Sequence, residues 1–381
     1  MIITREAKIY PKRGQKDILE NLLEQSRKLY NACLEKKKTA YIKDKKTITR
    51  FELQKQVKGI GEMPASLRQM IVYRLNNAYE QFFKRGGYPR FRKYGRYRSI
   101  PLRQFGTDYK INGNYLNVWK SFGLGYIKMR GMQKLNNPKE ARLVKRASGW
   151  YIQICDEEAE KKAVKVKTAV GIDFGLKYFI VDTDKNKIEA PRFFRKSEAK
   201  LAHQQRYASK KKKRSSAIKK AYRIITRTQE KIANQRKDFL HKISREYANK
   251  YDLIAIENLN IKGMIKNKHL SKSISDVSWG IFISILDYKL KMLGHYLIKV
   301  NPQYTSQKCS KCGEIVKKSL SVRTHRCFNC GLVMCRDENA SINIKNQGLD
   351  KAKHEAIPLG KLMTVKAPKL LDREYVSSLN K

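Results

Sequence analysis

The stretch 309-CSKCGEIVKKSLSVRTHRCFNCGLVMCRDENASIN-343 decides how the rest of the chain is read. Its cysteines form two Cys-x-x-Cys pairs, Cys309/Cys312 and Cys327/Cys330, with fourteen residues between the pairs. At that spacing each pair can offer two thiolates from a tight turn to one tetrahedral zinc ion. Gly313 and Gly331 follow the pairs directly, where such knuckles need a residue free to take positive φ. Four thiolates close a site, so this zinc is expected to be structural, with His325 and Cys335 surplus to it. Asp337 stands seven residues beyond Cys330, at the start of an apparent helix.

Asp337 has two distant acidic counterparts, each closing an apolar run that reads as a buried strand. Asp173 lies in AVGIDFGLKYFIV (169–181), within a Gly-x-Asp-x-Gly turn, and Glu257 in LIAIENLNIKG (253–263). One acid at a strand end is commonplace; the set of three is what carries weight. Carboxylates on two strand ends and a helix start can converge on two divalent ions about 3.5–4 Å apart. One ion would activate a water and the other stabilise a leaving 3′ oxygen. Hard carboxylates select Mg²⁺ or Mn²⁺. Phosphodiester hydrolysis needs that charge neutralisation, because the attacked group is already anionic.

Composition agrees. The 381 residues allow two or three domains, and 41% hydrophobic residues suit a folded chain. Lys and Arg number 84 against 34 Asp and Glu, a net charge of +50, which calls for a polyanionic partner. The size of the excess implies more than one duplex or strand. A membrane is the rival polyanion, but no apolar run approaches the ~20 residues of a spanning helix. MIITREAKIYPKRG has no apolar signal-peptide core. Seven cysteines, an odd number, without an export signal favour a reducing cytosol over a disulfide framework. Cys33 and Cys155 read as ordinary buried thiols.

Residues 2–10 are expected as a first strand, closed by Pro11. From Gln15 to Ile42 a helical stripe runs through Leu19, Leu22, Leu23, Ser26, Leu29, Tyr30, Cys33 and Leu34. A second helix follows Met63-Pro64, with Leu67, Ile71, Leu75, Ala78, Tyr79, Phe82 and Phe83 on one stripe, and ends at Gly86-Gly87. The next segment interleaves rings and cations: Tyr88, Arg90, Phe91, Arg92, Lys93, Tyr94, Arg96, Tyr97 and Arg98. Rings that stack on bases beside cations that hold phosphates suit nucleic acid better than a plain solvated loop. Residues 99–156 carry Asn-Gly and Ser-Gly hairpin signals and read as a small β-barrel. The strand at 2–10 could join it, making the helical unit an insertion. A β-hairpin over 169–184 and a basic helical region over 197–250 come next, with Ile218, Tyr222, Ile225, Ile232 and Phe239 as its stripe. That region contains five consecutive cations, Lys210, Lys211, Lys212, Lys213 and Arg214, read as a phosphate-backbone contact. A strand at 251–256, a mobile loop at 258–278, a helix at 279–293 and a strand at 296–300 lead to the cysteines. No structure is forced on the last 35 or so residues.

The order Asp173, Glu257, cysteine ribbon, Asp337 resembles the split RuvC-type, RNase H-like domain of TnpB. That family comprises RNA-guided endonucleases of bacterial and archaeal insertion sequences, related to type V CRISPR effectors. The resemblance rests on KIYPKRGQ, GGYPRFR, VGIDFGLKYF, IAIENLNIKGM, YTSQKCSKCG and RDENASINI, in family order across nearly the whole chain. It implies an α+β multidomain chain. A β-barrel wedge domain (1–10 and 86–165) would hold an inserted helical recognition domain (11–85). An RNase H-like nuclease domain (166–301 and 336–350) would follow, with an inserted zinc ribbon (302–335) and a C-terminal tail (351–381) without fixed order. By resemblance Asp173, Glu257 and Asp337 are the catalytic, magnesium-holding triad, and Cys309, Cys312, Cys327 and Cys330 hold zinc in a target-binding ribbon. Arg323 matches a ribbon arginine that contacts the scissile phosphate. The family's motif-reading residues vary too much to carry over, so Asn77, Tyr79 and Gln81 are named by position alone as readers of the flanking motif, and 258–278 resembles a lid. The implied partners are a guide RNA from the transposon end and a double-stranded DNA target, with one protein per RNA, in the cytoplasm.

Two further readings share the resemblance: a guide-directed DNA-binding repressor and a miniature CRISPR effector. The intact carboxylates weigh against the first, and the compact length against the second. A self-sufficient single-strand transposase is weaker, because no two of the six histidines are separated by one residue.

Overall fold

The residues expected on the first helical stripe are all buried on helix α1 (Arg13–Asp44), which follows strand β1 (Ile2–Tyr10). The computed structural model describes residues 1–319 and 321–363. They fall into two compact units, Met1–Glu158 and a second beginning at Ala159.

In the first unit α1 is followed by α2 (Arg50–Gln56) and α3 (Ala65–Arg85). Helix α2 was not expected, although its signal is in the sequence. Thr49 accepts from the Glu52 amide at 3.3 Å and Glu52 Oε2 from the Thr49 amide at 2.7 Å, a reciprocal capping box. On α3 Leu67, Ile71 and Leu75 are buried, but Phe83, placed on the same stripe, is 75% exposed. The strands β2 (Ser99–Leu102), β3 (Tyr109–Asn112), β4 (Tyr115–Val118), β5 (Gly125–Arg130), β6 (Pro138–Arg146) and β7 (Gly149–Glu157) complete an antiparallel sheet of order β2-β6-β7-β1-β5-β4-β3. Strand β1 therefore pairs in mid-sheet between β5 and β7. The sheet curls: Tyr109 at one edge donates its hydroxyl to the Lys139 carbonyl, on β6 beside the other edge. Its inner side chains, among them Ile100, Leu116, Ile127, Leu143 and Ile152, share one core with the three helices. Each fully buried Leu or Ile there contributes roughly 1.5–3 kcal/mol. Buried Asp108 joins helix to sheet, accepting from Ser66 Oγ at 2.6 Å and Trp119 Nε1 at 3.2 Å.

The second unit is built on β8 (Ala169–Phe174), β9 (Tyr178–Asp182), β10 (Lys187–Glu189), β11 (Leu253–Glu257) and β12 (Tyr296–Val300). Their order is β10-β9-β8-β11-β12, with β8 to β10 antiparallel and β8, β11 and β12 parallel. This is the RNase H-like arrangement. The helical region expected over 197–250 is two helices, α4 (Phe193–Ser209) and α5 (Ser216–Lys250), broken where the five cations stand. Tyr222, expected on its buried stripe, is 56% exposed. The segment expected as a mobile loop carries two short helices, α6 (Ile261–Met264) and α7 (Ser271–Val277). Buried Asp276 holds it, accepting from the Phe194 amide at 3.0 Å and from Arg236 Nη2 at 2.8 Å. Helix α8 (Trp279–Leu293) leads to β12, β13 (Thr324–Arg326) and β14 (Val333–Cys335) form the cysteine ribbon's hairpin, and α9 (Arg336–His354) returns to the sheet.

Strand alternation sorts the sheet's two faces. Val170, Ile172, Phe174, Ile254 and Ile256 join the core with α5 and α8, while Ala169, Leu253 and Ala255 join the one with α9. Asp173 and Glu257 share the parity of this second set. Past His354 the chain stays on the sheet, with Leu359 bridging Val166. The expected tail thus begins as ordered structure, and its part from 364 to 381 lies outside the described residues.

Candidate active site and metal centre

Helix α9 lies so close to β8 that Gly171 is needed opposite it: a Cβ there would strike the Ser341 carbonyl and fall 2.6 Å from the Lys345 amide nitrogen. Gly348 makes the same allowance against Ala255. This seating brings the first turn of α9, with Asp337, toward the C-terminal ends of β8 and β11. Burial raises the Asp173 carboxyl well above the usual range, and the charges of Glu257 and Asp337 add to it. Arg336 and the Phe174 amide oppose the rise. Glu257 is also raised by burial, against a 2.5 Å hydrogen bond donated by the Thr305 hydroxyl. Asp337 sits in the first turn of α9, with Arg336 Nε at 3.2 Å and Arg323 Nη1 at 3.7 Å. Acids gathered where burial and neighbouring negative charge raise the Asp173 carboxyl form the donor set that a hard divalent cation relieves. Their oxygens do not all lie within the 4.8 Å that gathers the cysteine sulfurs.

The cysteine centre is tighter. Cys309, Cys312, Cys327 and Cys330 have sulfurs all within 4.8 Å of one another, with Cys309–Cys330 and Cys312–Cys327 at 3.5 Å. That is too long for disulfides and close to the edge of about 3.8 Å that a tetrahedron of 2.3 Å Zn–S bonds requires. The knuckles match. Gly313 donates to the Cys309 carbonyl and Gly331 to the Cys327 carbonyl, both at 2.9 Å, and both glycines have positive φ, 83° and 71°. The Glu314 amide leads in drawing the Cys312 thiol down to about 7. The Leu332 amide acts on Cys330 in the same direction, but burial and the neighbouring sulfurs outweigh it and leave that thiol at about 12. Crowded thiols that cannot all ionise are what a divalent ion neutralises, so the residues fit the metal. His325 is buried beside Lys318, and neither it nor Cys335 belongs to the set.

Buried polar residues tie the centre to the acids. Asn339, in the first turn of α9, is buried. It accepts from the Ser310 amide at 2.9 Å and donates to the Lys308 carbonyl at 2.7 Å. Asn343 donates to the Thr305 and Lys308 carbonyls at 2.8 and 2.7 Å. The signal of the two asparagines was position: both lie on one face of the helix that begins at Arg336.

The expected nucleic-acid residues are largely at the surface. Tyr88, Arg90, Phe91, Lys93 and Arg96 are exposed. Arg92 is pinned, its amide donating to Asn31 Oδ1 at 2.8 Å and its guanidinium lying 5.5 Å from the Tyr30 ring. On α3 Gln81 is exposed, Asn77 half-buried, and Tyr79 bonds the Tyr88 hydroxyl at 2.9 Å. Lys210, Lys212, Lys213 and Arg214 are exposed in the α4–α5 turn, and Lys211 lies 4.1 Å from the Tyr207 ring. Sequence reasoning missed a groove of about 370 Å³ between α4 and α5, whose cations are Lys196, Lys200, Arg227 and Lys231. Among the described residues none of these four has an ion pair.

Residues 153–268 match a family described as "Probable transposase", residues 279–344 the "Cas12f1-like, TNB domain", and residues 1–46 a "Helix-turn-helix domain". A Streptomyces pristinaespiralis protein named "Putative RNA-guided DNA endonuclease" is 29% identical over 355 residues, covering 90% of this chain and 88% of that protein. The Escherichia coli K12 protein named "Putative RNA-guided DNA endonuclease InsQ" is 30% identical over 308 residues, covering 76% of each. "TnpB-like protein L79" of Acanthamoeba polyphaga mimivirus is 30% identical over 226 residues, covering 52% of this chain and 41% of that one. The fold and its two centres define an RNase H-like protein with an inserted four-cysteine ribbon. The chain belongs to the TnpB family.

Proposed function

We propose that the chain is an RNA-guided DNA endonuclease of an insertion sequence. It binds a guide RNA from the transposon end and cleaves complementary double-stranded DNA beside a short flanking motif. The observation that carries this reading is the meeting of Asp173, Glu257 and Asp337 at one end of the RNase H-like sheet, in a chain of net charge +50. Asp173, Glu257 and Asp337 hold two Mg²⁺ ions, or Mn²⁺, which when bound supply an activated water and neutralise the attacked phosphate. The chain's own work is orientation. Strands β8 and β11 fix two carboxylates, α9 brings the third, and the exposed Arg323 guanidinium offers positive charge beside Asp337 for the scissile phosphodiester. The four cysteines hold zinc, which keeps the ribbon folded for target binding.

Base pairing supplies the specificity for the target, while the protein reads backbone shape and a short flanking motif. The Tyr88–Arg96 segment and the cations of Lys210–Arg214 take the backbone contacts, and Asn77, Tyr79 and Gln81 read the flanking motif. Among the described residues no helix is long and apolar enough to cross a membrane. The protein works in the cytoplasm, at the nucleoid when on target, as one copy per RNA. The test is Asp173→Ala: cleavage falls below detection while RNA retention and target binding remain at wild-type levels. Cutting by that variant at the wild-type rate would end the proposal.

A further inference from the structure

Thr305 is 3% exposed, in the segment that leaves β12 for the ribbon. Its hydroxyl lies 2.5 Å from Glu257 Oε1 and 3.1 Å from the Pro302 carbonyl. A hydroxyl has one hydrogen to give, so these acceptors compete, and an ionised carboxylate takes it in preference to a neutral carbonyl.

The backbone behind that hydroxyl is fixed as well. Asn343 donates to the Thr305 carbonyl at 2.8 Å, and Asn343 belongs to α9, the helix that carries Asp337. Its second bond, to the Lys308 carbonyl, anchors the residue just before the first cysteine of the ribbon. One short segment therefore ties the ribbon's entry, the helix of the third acid and the side chain of the second.

We infer that Thr305 is the positioning residue of Glu257: it holds Oε1 and leaves Oε2 free for a divalent cation. This rests on the metal-nuclease reading of the site. A glutamate at a strand end has three rotatable bonds, and nothing else described hydrogen-bonds its carboxylate among the described residues. Without the hydroxyl the carboxylate must be ordered by the cation itself, and that ordering weakens binding.

The test uses the full chain purified with its RNA. T305V keeps the shape and removes the hydroxyl, and T305S keeps the hydroxyl. Mn²⁺ binding is followed by paramagnetic resonance without DNA, alongside half-saturating Mg²⁺ for cutting, zinc content and metal-free Tm. T305V binds Mn²⁺ about tenfold more weakly and needs correspondingly more Mg²⁺, as losing an outer-shell partner does. Its zinc content and Tm stay near wild type, and T305S binds Mn²⁺ like wild type. Wild-type Mn²⁺ affinity in T305V overturns the assignment. So does a T305S as weak as T305V, since shape would then be the cause. If T305V loses zinc or folds poorly, T305A takes its place in the same comparison. A D173N control separates the two levels: equal Mn²⁺ binding by wild type and D173N removes the metal site itself, whatever the Thr305 variants do.

Discussion

The carbonyl of Ser341, on α9, occupies the space that a side chain on Gly171, in β8, would need. That contact sets how closely the helix bearing Asp337 approaches the strand bearing Asp173. Gly171→Ala forces α9 off the sheet. Overpacking of this kind costs about 1–3 kcal/mol, so thermal unfolding is expected several degrees lower, with cleavage reduced more than the lost folded fraction explains. Unchanged Tm and rate would show that α9 yields without disturbing the acids.

Asp173 supplies a pH prediction. Its carboxyl has a higher proton affinity in the metal-free fold than its ordinary 3.8. A group raised on folding gives stability that is complete below the unfolded value and lost as pH rises through the folded one. The metal-free wild type should therefore lose stability relative to Asp173→Asn as pH climbs from about 4 toward neutrality. In EDTA the variant melts higher at pH 7, and the two converge near pH 4. Added Mg²⁺ stabilises the wild type and not the variant. A variant that melts lower than wild type in EDTA at pH 7 would contradict the like-charge account.

The cysteine assignment separates neighbours in sequence. Wild type should carry about one zinc per chain, and Cys335→Ser should keep it. Cys312→Ser should lose most of it, and with it the order of the β13–β14 hairpin and target binding. Elemental analysis after gel filtration decides. Zinc retained by C312S and lost by C335S would mean that a different set of thiols binds.

The α4–α5 groove gives a prediction on affinity. The double charge reversal Lys200→Glu with Arg227→Glu removes two phosphate partners and should flatten the salt dependence of RNA binding by about 1.5–2 in slope. It leaves the carboxylates and cysteines untouched, so metal binding is unaffected. An unchanged slope would place the nucleic acid elsewhere.

Much of this architecture was legible because periodicity and spacing are local. The α1 stripe, the strand ends at Asp173 and Glu257, and the cysteine knuckles were each readable from short windows. Less local features were not. Phe83 and Tyr222 fit their helical stripes but face solvent, since a stripe says nothing of whether a partner covers its end. The break at Lys210–Arg214 hid inside a continuous basic pattern. The segment 258–278 looked mobile because its polarity conceals Asp276, whose partners Phe194 and Arg236 lie 82 and 40 residues away. Thr305 has no signal of its own, because its role depends on Glu257 48 residues earlier.

The most direct test is cleavage by the chain purified at high salt with whatever RNA it retains. That RNA is sequenced, and plasmids carrying its complementary target or a scrambled one are incubated with the complex in Mg²⁺. The account predicts one dominant RNA, double-strand cutting of the matched plasmid alone, and none by the Asp173→Ala complex. Equal cutting of matched and scrambled plasmids, or a smear of cellular RNA with no matched cutting, would contradict guided cleavage.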